Sequence, residues 1–371
     1  MKKKITRYAS VLWIIFIVIS LCKWAEAEAP LLWKVPLGSE AVGSPAVGYG
    51  QIFITTRSGH IVCLTTAGKI LWTANLSAAI FAPAMLAHKR LYVGDGNGKL
   101  HALTLTGQRL WEIGLEAPIR GTPQSLKRDL LVVNDQGTFF CIGREKGNIR
   151  VRREWGAPVM APGIVDRKTK QFLVPTSDYR LLAASPDGRI IWQYRTVGVN
   201  LAVPALTRQC DILLASMDHH LYKLSPQGKL LWSFAAQYWL GSSPVVDAAG
   251  NAYVGGYDKF FYSLSPQGNE RWKFAAQAPF TATATIDDAG NIYAGDSSGT
   301  IYAWSAEGRL LWQYKTEDFI RGGLTVMPSE KILLVGSIDG SLLAFQTAAT
   351  LGKKAAWPKL LGNPANDSRR P

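Results

Sequence analysis

Short apolar segments alternate with glycine-rich turns along most of this chain, and their lengths are typical of β-strands. Residues 242–272 show the pattern best, because four short segments (PVV, AYVGG, FFYSL and NERW) are separated by turns that include DAAGN, YD and SPQG. In the first turn Asp247 can hydrogen-bond its own backbone, and Gly250 can supply a positive φ. Such strands and turns predict a four-stranded antiparallel unit. No segment has helical periodicity over a useful length, so the pattern predicts an all-β protein.

A tryptophan closes each of these units at a nearly constant spacing. The successive separations are 39, 39, 44, 37, 40, 40 and 40 residues, and a fixed period of this size is typical of repeat architectures. A four-stranded sheet of about forty residues is the size of a propeller blade, which buries its faces by stacking radially on its neighbours. We expect each tryptophan to pack between adjacent blades, where one large ring buries much area. The series is Trp33, Trp72, Trp111, Trp155, Trp192, Trp232, Trp272 and Trp312.

The ring has eight units if a distant part of the chain completes one of them. Seven complete units end at the tryptophans from Trp72 to Trp312, and an eighth, residues 322–346, lacks its fourth strand. Residues 31–35 or the strand ending at Trp357 could supply it, and either pairing would remove exposed sheet edges. The fold prediction is an eight-bladed β-propeller of four-stranded antiparallel blades over residues 28–346. Residues 347–371 are then expected to be a solvated basic C-terminal tail.

The first 27 residues differ from the rest of the chain. A basic start (Lys2, Lys3, Lys4 and Arg7) precedes an apolar run at residues 9–22, which is too short to span a bilayer comfortably. The small residues at 25–27 suit a cleavage site. This arrangement predicts a secretory signal peptide that is cleaved near Ala27, followed by export to the periplasm or the medium. A segment that is kept as a membrane anchor is the alternative.

The composition indicates a large folded core and gives no sign of disulfide bonds. The chain has 371 residues, of which 47% are hydrophobic, and this fraction is too high for a disordered polypeptide. Three cysteines follow residue 27, and an odd number argues against a disulfide framework in an exported protein. Cys63 and Cys141 occupy a repeat position that elsewhere holds alanine or serine. We therefore expect both to be buried thiols that act as small hydrophobic side chains.

The stretch from the third strand to the tryptophan resembles the pyrroloquinoline-quinone-type repeat. Its clearest copies are ALTLTGQRLW at 102–111, KLSPQGKLLW at 223–232 and AWSAEGRLLW at 303–312, and the resemblance covers residues 31–346. The family includes quinoprotein dehydrogenases and a non-enzymatic propeller lipoprotein of the machinery that assembles outer-membrane barrels. The resemblance thus implies the propeller fold with either function. The chain lacks the adjacent cysteine pair that the dehydrogenases usually carry beside the quinone, and their calcium ligands cannot be assigned to its residues.

The motifs for catalysis and metal binding are weak. GDSSG at 295–299 fits the serine-nucleophile pattern G-x-S-x-G, but that motif requires a strand-to-helix elbow, and here it lies between two strands. His219 and His220 are adjacent, so strand geometry points their side chains to opposite faces. We expect no catalytic residue, no metal and no cofactor. Pyrroloquinoline quinone with calcium is the alternative cofactor pair.

A binding site is expected at the central mouth, where the innermost strands begin. Counting back three residues from the proline that opens each inner strand, or from its equivalent, gives the ring Val42, Ile80, Arg120, Val159, Leu201, Gly241, Thr281 and Arg321. The planar guanidinium fork suits carboxylates, so Arg120 and Arg321 are expected to bind one anionic group together. Asn200, Trp239, Phe280 and Phe319 are expected to complete an apolar, aromatic rim. The alternative is that both arginines are simply solvated.

Basic residues cluster in the third unit and in the turn that follows it. They are Arg144, Lys146, Arg150, Arg152, Arg153, Arg167, Lys168 and Lys170. This cluster is either a solvated hairpin or a docking site for anionic lipid headgroups or an acidic partner. Nucleic acid is not an expected partner of an exported chain.

The leading functional prediction is an exported, non-catalytic, monomeric propeller that serves as a binding scaffold for a protein or peptide of the cell envelope. Many loops and an exposed aromatic rim suit that role. The first alternative is a quinone-binding protein or a quinone-dependent dehydrogenase. The second is a module that binds envelope polysaccharide.

Overall fold

The regular secondary structure of the protein consists of β-strands. The computed structural model describes residues 30–368, and in that range 32 strands form eight four-stranded antiparallel sheets. The prediction of an all-β, eight-bladed propeller is therefore confirmed. The predicted signal peptide lies outside the described residues. Across residues 30–368 there is no helix of the length and apolar character needed to cross a membrane.

The described part of the chain starts with strand β1 (Leu31–Pro36) and then forms the blades in order, from the innermost strand outwards. Blade 1 consists of β2 (Ala41–Gly48), β3 (Gln51–Thr56), β4 (His60–Thr65) and β5 (Ile70–Asn75). Blade 2 consists of β6 (Met85–Ala87), β7 (Arg90–Gly94), β8 (Lys99–Thr104) and β9 (Arg109–Gly114). Blade 3 consists of β10 (Gln124–Leu126), β11 (Asp129–Val133), β12 (Thr138–Gly143) and β13 (Ile149–Glu154). Blade 4 consists of β14 (Ile164–Asp166), β15 (Gln171–Pro175), β16 (Arg180–Ala184) and β17 (Ile190–Arg195).

The second half of the ring repeats this plan. Blade 5 consists of β18 (Ala205–Leu206), β19 (Ile212–Ala215), β20 (His220–Leu224) and β21 (Leu230–Ala235). Blade 6 consists of β22 (Val245–Val246), β23 (Ala252–Gly255), β24 (Phe260–Leu264) and β25 (Glu270–Ala275). Blade 7 consists of β26 (Thr285–Ile286), β27 (Ile292–Gly295), β28 (Thr300–Trp304) and β29 (Leu310–Lys315). Blade 8 contains β30 (Thr325–Val326), β31 (Ile332–Gly336) and β32 (Ser341–Gln346), and β1 is its outermost strand.

Blade 8 closes the ring. Strand β1 pairs antiparallel with β32, with Trp33 opposite Ala344 and Val35 opposite Leu342. The innermost strand β30 lies beside β2 of blade 1. The sequence left two candidates for the closing strand, and the structure selects the N-terminal one. Trp33 consequently packs on Gly68 of blade 1, as the other tryptophans pack on the blades that follow theirs.

Each outer-strand tryptophan holds the next blade by a hydrogen bond and a ring contact. Trp232 Nε1 donates to the carbonyl of Pro266 at 3.0 Å. Its ring lies against Gly268, where a Cβ atom would come within 2.7 Å and where φ is +87°, so glycine meets both a steric and a conformational requirement. Equivalent hydrogen bonds to the next blade are made by Trp72, Trp111, Trp155, Trp192 and Trp272. Trp312 faces the composite blade 8 and stacks on Phe345.

Most residues between 351 and 368 are buried, and the prediction of a solvated tail is wrong for them. Residues 350–368, named here the seal, cross the end of the ring where the innermost strands finish. The carbonyl of Pro364 accepts a hydrogen bond from Val47 N at 2.7 Å, and that of Ala365 accepts one from Leu86 N at 2.8 Å. The innermost strands have an unpaired edge facing the axis, and burying such an edge without partners is costly. The seal satisfies these groups, and its Trp357 is only 1% exposed.

Candidate functional site

The end of the channel opposite the seal opens into a cavity of about 370 Å³. Its rim receives one residue from each blade: Val42, Phe81, Arg120, Met160, Leu201, Gly241, Thr281 and Arg321. Deeper in the channel the wall is formed by Pro83, Pro162, Val203, Ser243, Thr283 and Gly323. Leu360 of the seal also lines the cavity and forms its floor. The cavity is therefore closed below and open above.

The rim differs from the predicted ring at two positions. Ile80 and Val159 were expected there, but they are 0% and 2% exposed and pack inside the blades. Phe81 and Met160 occupy the rim instead. In blades 2 and 4 the reference proline, Pro83 or Pro162, lies two residues before the inner strand, whereas Pro123 of blade 3 lies one residue before it. Counting from the proline therefore shifts the assignment by one residue. The strand bounds reveal the shift, since they fix the register independently of proline.

The rim on blades 1–3 carries a cluster of two arginines around one aromatic ring. The guanidinium carbons of Arg57 and Arg120 each lie 4.5 Å from the centroid of the Phe81 ring. This cation–π packing orients both side chains. Arg120 Nε also pairs with Asp135 Oδ2 at 3.3 Å, which engages one of its five N–H donors. Arg57 lies in the turn between β3 and β4, outside the positions that the repeat alignment considered.

Arg321 lies on the same side of the mouth, on blade 8. Its side chain is 71% exposed, and its Nη1 lies 3.9 Å from Glu40 Oε1. A pair at that distance and exposure is weak, so Arg321 remains able to rotate towards a ligand. Arg120 and Arg321 therefore line the same cavity, as does Arg57. Whether they bind a ligand together stays a prediction.

Two of the six expected mouth residues are interior residues. Asn200 is fully buried and donates from Nδ2 to Thr196 Oγ1 at 3.0 Å. Phe280 is also fully buried, with its ring centroid 5.3 Å from that of Phe261. Placing them on the rim was wrong, because the residue before each rim position points into the sheet rather than towards the axis.

Trp239 and Phe319 are exposed on the mouth face, and Trp239 belongs to a larger apolar surface. The Tyr238 and Trp239 rings stack with centroids 4.8 Å apart, and Tyr257 meets Trp239 edge-on at 6.0 Å. His219 contacts Tyr238, and Val197 N, just after blade 4, donates to Oδ2 of Asp218, the residue before His219. We name this apolar surface the aromatic surface, and it consists of Tyr179, Val197, Tyr238, Trp239 and Tyr257, all of them exposed. Phe319, 52% exposed, lies further round the ring.

Comparison with known proteins places this geometry in a family. The family model described as outer membrane protein assembly factor BamB matches residues 25–113, 96–233 and 217–353. The chain belongs to the BamB family. No curated protein matches it in sequence.

Several solved structures share the fold of this BamB-family chain at low sequence identity. The crystal structure of BamB from Moraxella catarrhalis is 17% identical, with a TM-score of 0.73, covering 86% of this chain and 99% of that one. The computationally designed Ika8 protein is 16% identical, with a TM-score of 0.74 and coverages of 85% and 99%. Quinohemoprotein alcohol dehydrogenase ADHIIG from Pseudomonas putida HK5 is 12% identical, with a TM-score of 0.70 and coverages of 86% and 76%. At these identities the similarity shows the fold alone.

The cavity lining does not fit the calcium ion that accompanies a quinone. Calcium takes six to eight oxygen ligands, several of them carboxylates. Glu40 is the single carboxylate among the residues that line the cavity, and an arginine lies beside it. Across residues 30–368 there is also no group of three or more His, Cys, Asp or Glu side chains arranged to hold a metal.

The cysteines and the serine motif show structural roles. Burial raises the pKa of the Cys63 thiol to about 11, so the thiolate is scarce at neutral pH. Cys141 has its pKa raised in the same way, again chiefly by burial. In the GDSSG turn the motif serine is Ser297, whose backbone N–H donates to the carbonyl of Pro279 at 2.8 Å. The next residue, Ser298, donates from Oγ to Asp296 Oδ1 at 2.7 Å, which stabilises the hairpin.

The arginines of the basic cluster in blade 3 are engaged within the protein. Arg152 forms two hydrogen bonds with Glu116, at 2.8 and 2.7 Å. Arg150 pairs with Asp129 at 2.6 Å, and the largely buried Arg144 donates to the carbonyl of Lys127. These contacts support the solvated-hairpin interpretation more than the lipid one. Binding of anionic headgroups stays a prediction that would rest on the exposed Lys146, Lys168 and Lys170.

Proposed function

We propose that this chain is a non-catalytic propeller of the cell envelope that binds another protein through the face around the open cavity. The aromatic surface carries the proposal. Three of its side chains, Tyr238, Trp239 and Tyr257, contact one another, and exposed apolar patches of this kind mark interaction sites. Tyrosine and tryptophan are also the residues that most often dominate binding energy at protein interfaces.

Family membership supports the envelope as the place of action. The matching family model is described as an outer membrane protein assembly factor, and such a factor acts on or beside other proteins. Export through the predicted signal peptide is part of this proposal. The quinone alternative has support from the fold of ADHIIG alone, and the cavity lacks the carboxylates for its calcium.

Site-specific photo-crosslinking in cells tests the docking face. A photoreactive phenylalanine analogue placed at Trp239 should capture one dominant partner, and the same analogue at Tyr49 should not. Tyr49 is the matched control, because it is 55% exposed but lies in the turn between β2 and β3 at the sealed end. A second variant, Tyr257→Ala, should reduce capture at Trp239 because it removes the edge-on neighbour. Equal capture at both positions, or capture at Tyr49 alone, would contradict the proposal.

A dye-linked oxidation assay tests the enzymatic alternative. The purified protein, incubated with pyrroloquinoline quinone and calcium, should oxidise alcohols and sugars no faster than a sample without protein. Turnover above that background would overturn the non-catalytic proposal.

A further inference from the structure

The cavity separates charge from apolar surface along its depth. Three arginines stand at its mouth, and the wall beneath them contains Pro83, Pro162 and Val203 together with the small polar residues Ser243 and Thr283. The floor is Leu360, which is 8% exposed. A volume of about 370 Å³ falls within the range of ligand sites, about 300–1,000 Å³. A guest that fits this arrangement has a small apolar group to place below and an anionic group to keep above.

The charge on the rim is concentrated on one side. Arg57, Arg120 and Arg321 belong to blades 1, 3 and 8, and Glu40 is the acidic residue that lines the cavity with them. The stacking on Phe81 holds two of the guanidinium groups near each other. Preoriented guanidinium forks bind carboxylates through charge-assisted hydrogen bonds and lose little side-chain entropy in doing so.

The other side of the rim is apolar, and its Gly241 lies against the Tyr257 ring of the aromatic surface. Met160 and Leu201 are 51% and 41% exposed at the mouth, on blades 4 and 5. The aromatic surface begins on these same blades with Tyr179 and Val197. A partner that covers the aromatic surface therefore has the cavity within reach, without any change in the fold.

We propose that the cavity binds an acidic–apolar segment of the docking partner, with one apolar side chain resting on Leu360 and the adjoining carboxylate paired with Arg57, Arg120 and Arg321. This inference rests on the proposed docking function and adds its chemical specificity. Because the seal closes the channel, a polypeptide cannot thread through the ring. The partner instead inserts a side chain from above, and its backbone stays on the mouth face.

Peptide binding to the full-length protein tests this proposal. The probe is a fluorescent decapeptide with one phenylalanine between two aspartates in a Gly-Ser context. Two control peptides replace both aspartates by asparagine, or the phenylalanine by serine. The wild type should bind the probe at least about tenfold more tightly than either control, and raising the salt concentration should weaken the binding. Equal affinity for the probe and the asparagine peptide would overturn the proposal.

Substitutions in the cavity locate the binding. The double variant Arg57→Gln with Arg120→Gln should lose about tenfold in affinity for the probe. Arg189→Gln is the matched control, since Arg189 is 76% exposed and pairs with Asp187 away from the mouth. Leu360→Phe should fill the floor of the cavity and should weaken binding of the probe more than binding of the serine peptide. If Leu360→Phe fails to fold, the comparison of phenylalanine and serine peptides on the wild type still decides the point. An affinity that the double arginine variant leaves unchanged would overturn the inference.

The two proposals fail in different ways. Capture of a partner at Trp239 that persists in the double arginine variant, together with unselective peptide binding, would leave the docking face standing and overturn the cavity inference. Selective peptide binding that requires the arginines would support the cavity inference even where the crosslinking at Trp239 gave no partner, and in that case the aromatic surface would be rejected as the docking face.

Discussion

The two ends of the central channel are formed by the same eight inner strands, but the seal covers one end and the other end is open. At one end the seal pairs with strand edges: Val246 and Trp357 exchange backbone hydrogen bonds, and Asn366 Nδ2 donates to the carbonyls of Ser44 and Ala84. At the other end no comparable segment covers the rim within residues 30–368, and Met160 and Arg321 stand exposed. The seal, a segment outside the repeat, therefore decides which end of the ring can bind a ligand.

Removing the seal should have the largest effect on the molecule. A chain ending at Thr347 loses Trp357, Leu361 and the hydrogen bonds to the inner strands, so it should not fold or should melt at least about 10 °C lower. Differential scanning calorimetry measures the change. Lys353→Ala, an exposed position on the same segment, is the control and should melt like the wild type. A stable truncated protein would show that the seal is dispensable.

Deleting strand β1 should have the next largest effect, because it breaks the ring at blade 8. Without residues 31–36 the edge of β32 is unpaired, and Gly68 loses the ring of Trp33. The melting temperature should fall by several degrees, and the amides of β32 should exchange hydrogen faster. Unchanged stability and exchange would mean that the ring does not depend on its N-terminal closure.

Two tryptophan substitutions should distinguish a ring that packs between blades from a ring that is exposed at the open end. Trp232→Ala removes an inter-blade ring and should cost roughly 3–5 kcal/mol of unfolding free energy. Trp239→Ala affects an exposed ring of the aromatic surface and should change stability by less than about 1 kcal/mol. Chemical denaturation measures both variants. Equal losses would show that Trp239 is a core residue.

The sealed end should also make the unfolding free energy depend on pH. Lys359 is fully buried, its Nζ donates to Asn363 O and Asn366 Oδ1, and burial lowers its pKa from 10.5 to about 7. Between these two values the unfolded chain binds more protons than the folded one, so unfolding free energy should rise as the pH is raised from 7 towards 10. From pH 7.5 to 9.5 the rise should be roughly 2 kcal/mol larger in the wild type than in Lys359→Met. Urea titrations at the two pH values measure the unfolding free energy of both proteins. Equal changes in the wild type and in Lys359→Met would contradict the lowered pKa of Lys359.

The smallest effect on stability should come from the open end. Arg321→Gln removes an exposed, long ion pair and should change unfolding free energy by less than about 0.5 kcal/mol. It should nevertheless weaken the binding of the acidic–apolar peptide. A stability loss as large as that of Trp232→Ala would show that Arg321 at the open end supports the fold as strongly as a tryptophan packed between blades.

The candidate site could be predicted only in part, and the reason is register. Arg120 and Arg321 were found by counting from proline, because a repeat places equivalent residues at equivalent heights around the axis. The same count failed in blades 2 and 4. Extending the rim by one further residue put Asn200 and Phe280 on it, although both are buried. Arg57 was missed because it lies in the turn between β3 and β4, and Phe81 because it stood one residue from the predicted position.

Local strand and turn patterns, repeated eight times along the chain, were enough to predict the blades, their number and the position of the tryptophans. Which chain end closes the ring, where the seal lies and which arginines share the mouth depend on contacts that form only in the folded ring. The seal contacts inner strands that are separated from it by up to about 320 residues, as in the bond from Asn366 to Ser44. Its own residues carry no repeat and no helical or strand periodicity, so their burial depends on edges that exist only once the ring has formed.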